Sequence, residues 1–128
     1  MVLDTSALTA VLFDEPEREE LIRKIAAAPR RLISSATLLE SSIVVESRRG
    51  ESAGRELDLF LHRAKVQTVA VDEEQAELAR TAWRRYGKGR HTSGLNFGDL
   101  FAYALARARG ESLLFKGDDF AKTDVAPA

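Results

Sequence analysis

Cysteine is absent from this 128-residue chain, which excludes disulfides and thiolate metal sites. Histidine is almost as scarce, with two in all, so a metal ion would have to be held chiefly by oxygen. Hard oxygen ligands suit Mg²⁺, with Mn²⁺ as a substitute. No apolar run approaches the roughly 20 residues that cross a bilayer, so no membrane association is expected. The opening segment MVLDTSALTAVLFDEPE has no basic n-region and carries an acid at position 4. No signal peptide is therefore expected, and the cytoplasm is the expected compartment. A large charge of one sign is missing too: the net charge is −1, so any polyanion-binding surface must come from local distribution. Repeats, low-complexity tracts and linkers are not seen, and one domain over 1–128 is expected. What is present, a 45% hydrophobic fraction, suffices for a buried core without staples.

The pattern of residues alternates short apolar runs with helical periodicity. Val2-Leu3 reads as a strand that runs into Asp4-Thr5-Ser6, residues that favour helix starts, with a helix from Ala7 to Phe13. Pro16 suits the first turn of a second helix with Leu21, Ile22 and Ile25 on one stripe, ended by Pro29. Arg31 to Ser34 reads as a strand. Ser35 then caps a helix carrying Leu39, Ile43 and Val44, and Gly50 closes it. Glu51 to Ala64 is helical through Leu57, Phe60 and Leu61, and Val66 to Val71 is a strand. Asp72 caps a helix with Ala76, Ala79 and Trp83 on one face. Tyr86 to Leu95 is a glycine-containing loop; Asn96 caps a helix from Phe97 to Arg109, and Gly110 ends it. Leu113 to Phe115 is a short strand, with a further strand expected around Val125. Strands separated by helices imply an α/β three-layer sandwich, its short and mostly parallel sheet flanked by helices. Ligands of such sheets gather at the carboxyl ends of the strands.

Acids from four separate segments are expected at that edge. Asp4 follows the first strand, Glu40 lies early in the helix after the second, Asp99 lies in the first turn of the Asn96 helix, and Asp118-Asp119 follow the Leu113 strand. Carboxylates gathered so closely repel one another unless a cation neutralises them. A divalent ion also lowers the pKa of bound water and stabilises charge on a phosphoryl oxygen. Each acid has a plainer use as well. Asp4 suits an N-cap, Asp99 a capping partner of Asn96, Glu40 a capping box with Thr37, and Asp118 and Asp119 a cap of the turn at Phe120.

Four segments, VLDTSAL, SSATLLESSIVVESRRG, LNFGDLFAYALAR and LLFKGDDFAKTDV, stand in order between Met1 and Val125. Together they resemble the VapC toxins, PIN-domain ribonucleases of prokaryotic toxin–antitoxin systems. The resemblance implies a PIN-like fold and a Mg²⁺- or Mn²⁺-dependent endoribonuclease in which a metal-activated water hydrolyses an RNA phosphodiester. It makes Asp4 and Asp99 the principal metal ligands, with Glu40 as third acid. Asp119 is the fourth by the family's G-x-D-F pattern, with Asp118 in reserve. Ser6 matches a position that can place a hydroxyl near the metal, though a helix-cap hydroxyl explains it equally. A VapB-like antitoxin protein filling the active-site groove and a homodimer are also implied, their surfaces expected among exposed apolar residues between Glu15 and Ala64.

Arg84, Arg85, Lys88, Arg90 and His91 crowd into eight residues ahead of the Asp99 helix. Such a stretch beside an acidic metal site suits an RNA backbone, and Tyr86 can add base stacking. Its plain alternative is a solvated basic helix end. His91 and His62 are not expected to bind metal, and Trp83, Phe97 and Phe101 are expected in core or dimer packing. A receiver-like phospho-acceptor domain is the chief rival, since Asp72 and Lys116 each follow a strand. It lacks the acidic pair expected after the first strand, because Thr5-Ser6 follow Asp4. A catalytically silent PIN-fold binding module is the other rival, opposed by the intact acidic set.

Overall fold

A computed structural model describes residues 1–128. Its elements run β1 (Val2–Leu3), α1 (Thr5–Leu12), α2 (Arg18–Ala27), β2 (Leu32–Ser34), α3 (Ser35–Arg49), α4 (Glu51–Arg63), β3 (Gln67–Val69), α5 (Glu73–Tyr86), α6 (Phe97–Arg109) and β4 (Leu113–Leu114). The four strands form one sheet in the order β3-β2-β1-β4. All three pairings are parallel, with Val2 opposite both Leu32 and Leu113. This is the α/β sandwich that the alternation of strand and helix implies.

The central strands show why the sheet sits between two layers. Successive side chains point to opposite faces. Leu3, Ile33 and Leu114 join one core with Leu8, Val11, Leu21, Ile25, Leu57 and Leu61 from α1, α2 and α4. Their neighbours Val2, Leu32 and Leu113 join the other, with Ala82, Leu100, Tyr103 and Leu105 from α5 and α6. Each strand is thus apolar on both faces, as buried parallel strands are. β3 is an edge strand: Gln67 and Thr68 are exposed, and only three residues pair with β2, so it is shorter than Val66 to Val71.

Several local expectations shift. Ser34, not Ser35, caps α3, its Oγ accepting from the Ala36 N–H at 3.3 Å, while Ser35 is the first helical residue. α1 begins at Thr5 instead of Ala7, because Asp4 itself is the cap. Pro16 stands in the turn ahead of α2 and not within the helix. No strand forms at Val125; the tail makes a single bridge between Leu113 and Pro127. The Leu113 N–H donates to the Ala126 carbonyl at 2.8 Å and the Ala128 N–H to the Leu113 carbonyl at 2.9 Å, one on each side of Pro127. On α3 the buried stripe is Thr37, Ser41 and Val45, while Leu39 and Ile43 are 62% and 56% exposed.

Candidate functional site

The carboxyl ends of β1, β2 and β4 open onto the start of α6, and the acids converge there. Asp4 leaves β1 in an extended conformation and caps α1. Its Oδ2 accepts from the Ser6 N–H at 2.9 Å and the Ser6 Oγ–H at 2.6 Å. The residue is 3% exposed, and its Oδ1 is buried with no partner at all. Burial raises the Asp4 carboxyl above the usual range; the Ser6 hydrogen bonds pull the other way, and the nearby charge of Glu40 adds to the rise. Leaving such an atom unmet costs about 1–3 kcal/mol. A cation would remove that cost.

Asp99 occupies the third position of α6, where it completes a capping box. The Asn96 N–H donates to Asp99 Oδ2 at 2.9 Å, and the Asp99 N–H donates to Asn96 Oδ1 at 3.0 Å. The plainer reading of Asp99 is therefore true of one of its oxygens. The other is left over, and the side chain is under strong electrostatic pressure. Burial, opposed by the Asn96 N–H and joined by the charges of Asp4, Asp119 and Glu40, pushes its pKa up to about 7. The structure thus brings Asp4, Glu40, Asp99 and Asp119 into one electrostatic neighbourhood. Of the two acids in GDDF, Asp119 is the one whose charge bears on Asp99.

Glu40 lies on α3 facing α1 and α6. Thr5 Oγ1 donates to its Oε1 at 2.5 Å and lies 3.1 Å from Ser41 Oγ. A Cβ at Gly98 would fall 1.7 Å from Glu40 Oε2, so with any other residue there the carboxylate would have to swing out of this position. Sequence reasoning missed both supports. The available signal was a glycine inside a helical turn, where it is costly unless something approaches the backbone closely. Glu40 plays no part in a capping box with Thr37, which lies inside α3 and is buried.

Ser6 is fully engaged, donating to Asp4 Oδ2 and accepting from the Lys116 N–H at 2.9 Å. All donors in the cluster are oxygens, which fits a hard divalent ion. The unpartnered Asp4 Oδ1 and the mutual repulsion at Asp99 fit it too. No three of these acids stand close enough together to form a ready-made cage.

The basic stretch divides on inspection. Arg85 lies 3.5 Å from Asp124 and stacks over Tyr86, and Arg90 stacks 4.4 Å over the Trp83 ring. Lys88 lines a groove of about 680 Å³ with Trp83, Phe97 and Phe101, while Arg84 is simply exposed. Tyr86 is buried and meets His91 edge-on, so it has no face to offer a base. His91 Nδ1 is held by Ser93, and His62 is exposed on α4. Phe97, at 77% exposure, and Trp83 are surface aromatics and not core. The receiver arrangement is absent: Asp72 accepts from the Gln75 N–H as the cap of α5, and Lys116 is bound by Glu15 and Glu17.

The family model described as PIN domain matches residues 1–126. The chain belongs to the PIN-domain family. Within that family it is a VapC-type ribonuclease: it is 61% identical over 126 residues to Ribonuclease VapC of Mycolicibacterium smegmatis, covering 98% of each chain. It is 56% identical to Ribonuclease VapC30 of Mycobacterium tuberculosis, covering 98% of this chain and 96% of the relative. Among solved structures, the PIN fold here superposes on Mycobacterium tuberculosis VapC20, described as a Sarcin-Ricin loop cleaving toxin. That match has a TM-score of 0.80 at 19% identity and covers 99% of this chain and 97% of the other. The VapBC2 structure from Rickettsia felis, bound to a fragment of promoter DNA, matches at 0.75 and 20% identity, over 98% and 94%. These two likenesses speak for the PIN fold.

Proposed function

We propose that this PIN domain cleaves RNA at the acidic cluster, with Asp4, Glu40, Asp99 and Asp119 holding Mg²⁺ or Mn²⁺. The observation that carries this is the pair of uncompensated carboxylates, Asp4 with a buried free oxygen and Asp99 with a pKa near 7. Such an ion, when bound, polarises a phosphoryl oxygen and acidifies water. The chain's own residues do the rest. Thr5 and Gly98 set the Glu40 carboxylate against α6. The capping box turns one Asp99 oxygen into the helix and leaves the other for the site. Within the basic stretch, Lys88 and Arg84 are the residues left free to meet an RNA backbone, with Arg85 and Arg90 engaged in stacked or paired contacts.

The test is cleavage of structured RNA by purified protein with Mg²⁺ or Mn²⁺. Asp4→Ala and Asp99→Ala should each lower the rate by about 100-fold or more, the lower end of typical single acid–base contributions. Unchanged cleavage in both would place the chemistry elsewhere.

The same reading makes the chain the toxin of a type II pair, inhibited in the cytoplasm by a VapB-like antitoxin. The Rickettsia relative, solved as VapBC2, supports such a partner. A homodimer fits the exposed apolar face formed by Leu39 and Ile43 of α3 with Phe97 of α6 and Trp83 of α5. Patches of this kind mark association surfaces on otherwise polar proteins. Phe97→Glu should shift sedimentation from dimer to monomer; a monomeric parent protein would remove the proposal.

A further inference from the structure

Of the four acids, Asp119 has the least to hold it. It is exposed, and no side chain or backbone group donates to its carboxylate. Its position depends on the loop after β4, and that loop is fixed at two points. On one side Phe120 is buried and packs on Phe115, ring centroids 5.2 Å apart. On the other stands Lys116, followed by Gly117 at φ +96, a left-handed turn that favours glycine. Lys116 is held twice. Its backbone N–H donates to Ser6 Oγ at 2.9 Å, and that hydroxyl donates to Asp4 Oδ2 at 2.6 Å. Its Nζ lies 2.7 Å from Glu15 Oε1 and 3.3 Å from Glu17 Oε2, both in the turn between α1 and α2.

We propose that Lys116, gripped by Glu15 and Glu17, is a positioning residue that sets Asp4 and Asp119 at the spacing a divalent ion requires. The proposal rests on the metal-dependent reading given above. Its two arms divide the work. The main-chain arm reaches Asp4 through Ser6, and the side-chain arm pins the start of the Asp119 loop to the turn beyond α1. A lone exposed ion pair would contribute little. This one differs in that two carboxylates share one ammonium across about a hundred residues of chain, each side chain one-third to two-fifths exposed. Two acids on one lysine also leave that lysine poorly suited to holding an RNA phosphate, for which the charge would have to be free. Groups that orient metal ligands typically change affinity by roughly 10-fold to 100-fold when removed.

The experiment is calorimetric titration of Mn²⁺ into the protein without RNA, with cleavage at saturating Mn²⁺ measured alongside. Lys116→Met should weaken Mn²⁺ binding about tenfold, and Glu15→Gln/Glu17→Gln should weaken it similarly. The combined triple variant should be no weaker than Lys116→Met alone, and Lys116→Arg should recover most of the affinity. Turnover at saturating Mn²⁺ should change little in all of them. If Lys116→Met does not fold, the two glutamine substitutions and the arginine variant still decide. Wild-type affinity in the glutamine variant, or strictly additive losses in the triple, would overturn the clamp. So would loss of turnover without loss of Mn²⁺ affinity, which would make Lys116 an RNA contact. Asp99→Asn separates the two levels of argument. If the parent protein binds no Mn²⁺, or Asp99→Asn binds it unchanged, the site reading fails. If Asp99→Asn loses the ion and Lys116→Met keeps it, only the clamp fails.

Discussion

The two halves of α6 treat a carboxylate in opposite ways. At its N-terminal end Asp99 receives one backbone N–H, and burial together with three acidic neighbours raises it to about 7, although a helix N-terminus ordinarily favours an anion. Further along, Tyr103 and Arg107 of the same helix hold Asp124 of the C-terminal tail. Burial pushes Asp124 upward as well, but the Tyr103 hydroxyl and the charges of Arg107 and Arg85 outweigh it, and its carboxyl lies below the usual range. The Tyr103 hydroxyl donates to one Asp124 oxygen, and the two guanidiniums lie 3.5 and 3.7 Å from the other. One carboxylate is matched by the protein and ties the tail to the helices. The other is left unmatched, which is the condition under which an external cation binds.

The contrast is broken most severely by disturbing the unmatched end through a neighbour. Gly98→Ala would ordinarily stabilise a helix by about 0.5–1 kcal/mol. Here the added methyl meets Glu40 Oε2, so the carboxylate or α6 must move. Cleavage activity should fall about tenfold or more, as when a group that orients a metal site is lost. A helix made more stable with unchanged activity would show that Glu40 has no fixed place in the chemistry.

The pH dependence of stability comes next in size. A carboxyl raised in the folded state favours the protonated form, so Asp99 makes the metal-free protein progressively less stable as pH rises from about 4 through about 7, above which the loss levels off. Asp124 runs the other way: its stabilisation is present above the unfolded value of 3.8 and is lost as pH falls through the depressed folded value. Urea unfolding in EDTA at pH 5 and pH 8 should therefore show the Asp99 loss, Asp99→Asn should flatten it, and Mg²⁺ should stabilise more at pH 8 than at pH 5. A parent protein in EDTA with the same slope as Asp99→Asn would contradict the electrostatic picture. The smallest effect belongs to Asp124→Asn. With one-third of its side chain exposed, its ion pairs are screened, and a stability loss under about 1 kcal/mol at pH 7 is expected, with RNA cleavage per folded molecule unchanged.

Much of this was legible in the linear chain because it depends on local rules. Val2-Leu3, Leu32-Ile33 and Leu113-Leu114 read as strands since they are apolar at every position, as strands buried on both faces must be. Asp72 and Asn96 read as caps, and they cap. The misreadings came where packing overrides pattern. Leu39 and Ile43 repeat at helical spacing like core residues yet point outward, because α3 buries Thr37, Ser41 and Val45 instead. Tyr86 reads as a ring that can stack on a base, yet it is buried against Tyr103 of α6.

The sequence by itself determined the element order, the parallel sandwich and the four acids at the strand ends, since periodicity, capping chemistry and motif spacing are properties of neighbouring residues. Only the tertiary structure decided which carboxylates are compensated. The Thr5 and Gly98 seat of Glu40, the Ser6 link from Asp4 to Lys116 and the free oxygen of Asp4 all join residues from separate elements. Burial and charge at such points are sums over everything the fold brings near, and no window of sequence contains them.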